Sequence, residues 1–217
     1  MSKNILIVSE KPSTAEKIAS ALGKSVKKQG YFEVETSKGK AFVAPAVGHL
    51  YTLVQKEKGH SYPEFDIEWV PTPQASEHFQ YAQKYIDVIK KLAKLSDQLI
   101  VASDYDVEGE LIGYNIWRFN GKLPAKRMKF STLTKDEIVD AFENAGPVPV
   151  NIAHAGETRH MLDWYFGINF SRALMAAIKT TGRFKIMSIG RVQGPSLALL
   201  CQREKEIAAF IPIPYWQ

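Results

Sequence analysis

Gln98-Leu99-Ile100-Val101-Ala102-Ser103-Asp104-Tyr105-Asp106-Val107-Glu108-Gly109-Glu110 is an apolar run that empties into a cluster of acids. Its first five residues predict a buried strand, because strands covered on both faces read as continuous rather than alternating apolar sequence. Ser103 to Glu108 is its exit loop, and Gly109 to Phe119 predicts a helix. The chain opens in the same order. Asn4-Ile5-Leu6-Ile7-Val8 is a second buried strand, ending at Ser9-Glu10-Lys11. Pro12 then starts a helix at a position where a missing N–H costs nothing. Ala15, Ile18 and Leu22 recur at helical spacing, and Gly23 stops the helix.

The remaining segments extend this frame. Phe32-Glu33-Val34 and Ala41-Phe42-Val43 predict short strands around a turn at Lys38-Gly39, and residues 55–75, rich in Pro, Gly and charge, predict a loop. Phe79, Ala82, Ile86, Ile89 and Ala93 predict a helix over 77–94. Arg127-Met128-Lys129-Phe130 predicts a third short strand, and Thr134 with Glu137 predicts a capping box for the helix through Phe142. Strands alternating with helices predict an α/β fold with a parallel sheet flanked by helices. Gly146-Pro147-Val148-Pro149 breaks the alternation, and two helical stretches follow, near 152–178 and 192–208. The expected division is therefore 1–146, α/β, and 147–217, a mostly helical and partial domain.

Composition bounds the function only loosely. The 217 residues are 45% hydrophobic with a formal net charge of +5, which excludes wholesale disorder and is compatible with a polyanionic partner. The one cysteine, Cys201, excludes an internal disulfide and a thiolate zinc site. Its setting in Leu197-Ala198-Leu199-Leu200-Cys201 predicts a small buried hydrophobe. No apolar stretch reaches membrane-spanning length, and Met1-Ser2-Lys3-Asn4 leads directly into a strand without a secretory signal. A soluble cytoplasmic protein is expected. The aromatic ending Ile213-Pro214-Tyr215-Trp216-Gln217 reads as a strand that continues, hence as a truncated chain.

The acids carry the chemistry. The carboxyl ends of parallel strands are where open sheets bind ligands. If the two strands are neighbours, Glu10 meets Asp104 and Asp106, whose i, i+2 spacing in an extended loop aims both carboxylates one way. Carboxylates this close repel one another unless a cation neutralises them. Hard oxygen donors favour Mg²⁺. The plain alternative is a helix start, whose dipole attracts Asp106, Glu108 and Glu110 without any metal.

These residues match a family. Ile7-Val8-Ser9-Glu10-Lys11-Pro12-Ser13 together with Asp104-Tyr105-Asp106-Val107-Glu108-Gly109-Glu110 resembles the Toprim domain, a Rossmann-like metal-binding fold of topoisomerases, primases and some nucleases. Val47-Gly48-His49-Leu50 resembles the Gly-His turn of type IA DNA topoisomerases. Ala155-Gly156-Glu157-Thr158-Arg159-His160-Met161-Leu162-Asp163 is similar to their Ala-x-x-x-Arg-x-x-x-Asp helix. Ser188-Ile189-Gly190-Arg191-Val192-Gln193, followed by Pro195-Ser196-Leu197, is similar to their Ser-x-Gly-Arg-Val-Gln signature. The likeness runs end to end in the family's order, nearest its archaeal topoisomerase I and topoisomerase III branches.

The resemblance implies a role for each matching residue. Glu10, Asp104 and Asp106 hold Mg²⁺ with Glu108 in support, and Lys11 contacts the scissile phosphate. His49, Arg159, His160, Asp163 and Ser188, Ile189, Gly190, Arg191, Val192 and Gln193 meet single-stranded DNA. The family's nucleophile is a tyrosine before an Arg-Thr-Asp-Ser-like motif, and none of the nine tyrosines here has that context. The implied protein is thus part of a type IA topoisomerase that carries the acid site without the nucleophile and works with the rest of that chain.

Plainer readings stand beside these. Arg191 and Arg159 could be solvated helix arginines, and His49 and His160 structural or surface histidines. Trp164, Tyr165 and Phe166 are expected in the core, although such rings can stack bases. Two other functions fit part of the pattern. A standalone Toprim nuclease or primase-like enzyme leaves Ser188 to Gln193 without purpose. A pure single-strand-binding module leaves Glu10, Asp104 and Asp106 without one.

Overall fold

The computed structural model describes residues 3–121 and 123–216. The expectations placed on Met1, Ser2 and Gln217 fall outside them. Contacts divide the chain into two compact units, Met1–Val54 with Glu68–Arg159, and Gln55–Ile67 with His160–Gln217.

The first unit is built on a sheet of β1 (Lys3–Ser9), β2 (Ser25–Lys28), β3 (Tyr31–Thr36), β4 (Gly39–Pro45), β7 (Gln98–Ala102) and β8 (Ala125–Arg127). Their spatial order is β2-β3-β4-β1-β7-β8. β4, β1, β7 and β8 run parallel, so their carboxyl ends share one edge. The prediction of a parallel sheet holds for these four. β2 and β3 pair antiparallel, because tight turns such as that between Thr36 and Gly39 reverse the chain where a helical crossover would keep it parallel.

β1 is buried on both faces, as its unbroken apolar run requires. Ile5 and Ile7 pack with Ala15 and Ile18 of α1 (Pro12–Leu22) and with Ile138 and Phe142 of α5 (Lys135–Glu143). Leu6 and Val8 point the other way, onto Ile86 and Ile89 of α3 (Gln83–Lys94) and Ile112 and Ile116 of α4 (Val107–Phe119). Period-two alternation thus sorts one strand into two cores. α4 lies close over β7. A Cβ on Gly113 would come within 2.2 Å of the Val101 side chain.

Several local expectations change. Residues 55–75 are not all loop, since β6 (Ile67–Pro71) pairs with β5 (Tyr51–Gln55), and α2 (Thr72–Ala75) follows. The helix expected over 77–94 begins as a 3₁₀ turn at Glu77–Ala82 before α3. The third parallel strand is β8, which ends at Arg127. Neither half of the capping box forms at α5: the Thr134 hydroxyl makes no cap and lies 3.3 Å from that of Thr132, and the Glu137 carboxylate accepts from the Ser131 and Thr132 amides.

The second unit contains most of α6 (Val150–Lys179) and all of α7 (Gln193–Ala208). Residues of 55–67 are tied to α6. The Arg172 guanidinium donates to the carbonyls of Ser61 at 2.7 Å and Gly59 at 3.1 Å. Asn169 exchanges hydrogen bonds with the Glu64 backbone, and the Tyr165 hydroxyl donates to the Phe65 carbonyl. Trp164, Tyr165 and Phe166 are half-buried, not core. Cys201 is exposed, and no residue of α7 is buried. An apolar run needs a facing surface as well as its own composition to be buried.

Candidate metal centre and nucleic-acid site

Three neighbouring strand ends build the acidic centre. Ser9 of β1 is level with Pro45 of β4 on one side and Ala102 of β7 on the other. The residues that follow leave the sheet side by side: Ala46 to His49, Glu10 with Lys11, and Ser103 to Asp106. The Ala46 amide donates to the Ser9 carbonyl at 2.8 Å, and the Gly48 amide to the Glu10 carbonyl at 3.3 Å. The buried Ser9 hydroxyl donates to the Lys11 carbonyl, which shapes the same turn.

Lys11 gathers the acids. Its Nζ lies 2.7 Å from Asp104 Oδ2 and 3.7 Å from Glu10 Oε1. Burial pushes the Glu10 carboxyl above its ordinary value; Asp104 and Asp106 push it further, against the pull of Lys11. The hydrogen bond to Asp104 raises Lys11 in turn. Asp106 caps α4, one carboxylate oxygen accepting from the Gly109 amide at 2.7 Å. That bond gives Asp106 a helix role in its own right. Its other oxygen leaves it able to serve a cation as well.

These carboxylates are donors of the type that a hard divalent cation takes. Glu10, Asp104 and Asp106 offer only oxygen, and burial first, then the nearby Asp104 and Asp106, raise Glu10 despite the ammonium of Lys11. Glu110 takes no part. It is 1% exposed and paired inside the core with Arg127 at 2.8 Å.

Glu108 points elsewhere. Its carboxylate lies 3.1 Å from His49 Nε2 and 3.3 Å from Arg159 Nη1. His49 is delivered by a strained turn, with Val47 at φ 57° and Gly48 at φ 86°. A β-branched residue in the left-handed region is costly and persists only where the surroundings enforce it. The Thr72 hydroxyl secures the turn from behind, donating to the Leu50 carbonyl at 3.0 Å.

In the second unit, Arg191 Nε donates to Asp163 Oδ1 at 2.6 Å, and this partner raises the guanidinium pKa. Arg191 stands two residues before α7 rather than on it. Ser188, Ile189 and Gly190 precede it in irregular backbone, Val192 is the cap residue, and Gln193 begins the helix. The Ile189 amide donates to Ser171 Oγ at 3.0 Å, which anchors the segment to α6. His160 lies on α6 and is half-buried. The residues singled out from sequence therefore fall into three groups: Glu10, Lys11, Asp104 and Asp106; His49, Glu108 and Arg159; and Asp163 with Arg191.

The sequence marks Glu110 only as a helix-start acid and Arg127 only as part of a short strand rich in charge, so nothing in it singles out their buried ion pair.

The whole chain is similar to known proteins. A family model described as the Toprim domain matches residues 5–133, and one described as DNA topoisomerase matches residues 148–217. DNA topoisomerase 1 of Methanocaldococcus jannaschii is 55% identical over 97% of this chain and 28% of its own length. DNA topoisomerase 1 of Pyrococcus horikoshii is 48% identical over 98% and 32%, and DNA topoisomerase 3 of Bacillus subtilis 33% identical over 100% and 30%. Full-length topoisomerase I from Thermotoga maritima has a similar structure, with a TM-score of 0.65, 29% identity, and 96% of this chain and 31% of that one covered. The chain spans about a third or less of the length of these relatives.

Proposed function

This chain belongs to the Toprim family, in the form carried by the type IA DNA topoisomerases, and on that premise we propose that it supplies the acid centre and part of the single-strand groove for breaking and rejoining one DNA strand. The observation that carries the proposal is the meeting of Glu10 and Asp104 on the Lys11 ammonium at adjoining carboxyl ends of β1 and β7. Glu10, Asp104 and Asp106 would hold Mg²⁺, which when bound supplies positive charge where a phosphodiester reacts. Lys11, once turned from Asp104, can donate to a non-bridging oxygen of that phosphate. His49 and Arg159, both on Glu108, and Arg191, on Asp163, are nitrogen donors held in place by carboxylates and available to phosphates.

Under this reading residues 1–146 are the Toprim domain and 147–217 the start of the helical gate domain. The nucleophilic tyrosine comes from sequence beyond these residues. The substrate is DNA, so the protein acts in the cytoplasm, on the nucleoid in a prokaryote. No helix among the described residues is long and apolar enough to cross a membrane.

Thermal unfolding with and without Mg²⁺ tests the centre. A ligand bound only by the native state, present at a hundred times its Kd, adds about 2.7 kcal/mol. The wild-type chain should therefore melt at a higher temperature in Mg²⁺, and the Asp104→Asn/Asp106→Asn variant should not. An equal response in both would place the cation elsewhere.

A further inference from the structure

The Arg127 side chain is fully buried at the amino side of the acid loop. Its guanidinium reaches four partners. Nε donates to Glu110 Oε1 at 2.8 Å, Nη1 to the carbonyls of Val101 at 3.4 Å and Met128, and Nη2 to the carbonyl of Asp104 at 3.0 Å. The backbone of Arg127 is itself fixed, exchanging amide–carbonyl hydrogen bonds with Gly146 at 2.8 and 3.1 Å. One rigid fork thus joins the end of β7, the residue after β8, the first turn of α4 and the backbone of a candidate metal ligand.

The Asp104 carbonyl is gripped from its other side too. A Cβ on Gly109 would come within 2.1 Å of that oxygen, so the start of α4 presses on the same peptide. Fixing the carbonyl of a residue in an extended loop limits the directions its side chain can take. Stability is a weak reason to keep such a pair, since a buried ion pair is often matched or bettered by well-packed apolar side chains. Its use lies in placing the groups it binds, as second-sphere partners do for metal ligands.

We propose that Arg127, held by Glu110, is a positioning residue for the metal centre: it fixes the Asp104 peptide and thereby aims the Asp104 carboxylate toward Glu10 and Asp106. The inference rests on the metal-site reading above. Arg127 touches no substrate and no ligand atom of the centre.

The test is Mg²⁺ titration by calorimetry, paired with thermal unfolding, on the wild-type chain and four variants. Glu110→Met/Arg127→Met removes both buried charges at similar volume. It should melt near the wild-type temperature yet bind Mg²⁺ at least about tenfold more weakly, the usual cost of losing a second-sphere partner. Arg127→Lys keeps the charge but, as a point donor, cannot span three carbonyls and a carboxylate, so its affinity should fall as well. Glu110→Gln keeps an acceptor for Arg127 Nε but loses the counter-charge, so its Mg²⁺ affinity should fall between those of the wild type and the methionine double variant. A folded methionine double variant with wild-type affinity would overturn the positioning role alone. Loss of the fold in both Arg127 variants would make the residue a stability element and overturn it too. Wild-type binding no stronger than that of Asp104→Asn/Asp106→Asn would remove the metal-site reading, and the inference with it.

Discussion

Glu10 is the residue at which the centre's electrostatics are easiest to read. Its carboxyl is raised from an ordinary 4.5, first by burial and then by Asp104. Folding therefore favours the protonated form. The stability it contributes is complete below the ordinary value and is lost as pH rises through the raised one. Without metal, Glu10→Gln should melt above the wild type at pH 7 and level with it at pH 4. In Mg²⁺ the order should reverse, because the variant loses an anionic ligand. Melting curves at the two pH values, with chelator and with Mg²⁺, decide this, and a wild type that is the more stable at pH 7 in chelator would contradict the repulsion argument. Arg191 supports a second prediction. It is held by Asp163, so a phosphate must share or replace that partner. Arg191→Ala should weaken single-stranded oligonucleotide binding and lower the salt slope by about 0.7, the share of one single-strand phosphate. Asp163→Asn should strengthen binding several-fold by freeing the guanidinium. Fluorescence anisotropy across a salt series measures both, and equal slopes in Arg191→Ala and wild type would take Arg191 out of the groove.

At the scale of elements, α4 and its glycines set the geometry. Gly113 lets α4 settle on Val101 of β7, and Gly109 lets its first turn meet the Asp104 carbonyl. Gly113→Ala should cost about 1–3 kcal/mol, an overpacking penalty, and lower the melting temperature while leaving the Mg²⁺ response intact. Gly109→Ala should instead blunt the Mg²⁺ response, because the acid loop must move to admit the methyl group. If both variants responded to Mg²⁺ as the wild type does, close approach at Gly109 would not govern the centre. Elements differed in how plainly the sequence announced them. β1 and β7 were legible because both faces are covered, which leaves an unbroken apolar run. β2 and β6 were not, because nearly all their residues stay exposed or half-buried and no burial pattern marks them.

At the scale of the whole molecule, the proposal separates a metal and DNA site from the nucleophile. Supercoiled plasmid incubated with this chain and Mg²⁺ should stay supercoiled, and denaturant should trap no covalent protein–DNA adduct. Gel electrophoresis reads both, and relaxed topoisomers would overturn the assignment of the nucleophile to sequence outside these residues. The exposed apolar side of α7, including Leu197, Leu199 and Leu200, belongs to this scale as well. The apolar run around Cys201 predicts burial, and nothing in its spacing says that these side chains stay exposed among the described residues.

What the sequence by itself determined is local: which stretches are buried strands, where acids leave them, and that oxygen donors of this kind suit a hard cation. Those facts depend on neighbours along the chain and on the period of burial. Tertiary structure alone decided that β4, β1 and β7 adjoin, which brings the exits of β1 and β7 together at Lys11 and sets the exit of β4 beside them, where His49 meets Glu108. It also chose the partner of each charge, giving Glu108 to His49 and Arg159, Asp163 to Arg191 and Glu110 to Arg127. The acids in Asp104 to Glu110 look alike as text. They differ because the carboxylate of Glu110 is turned into the core, where only an ion pair makes its charge tolerable, while Asp104 remains at the sheet edge within reach of solvent and Lys11.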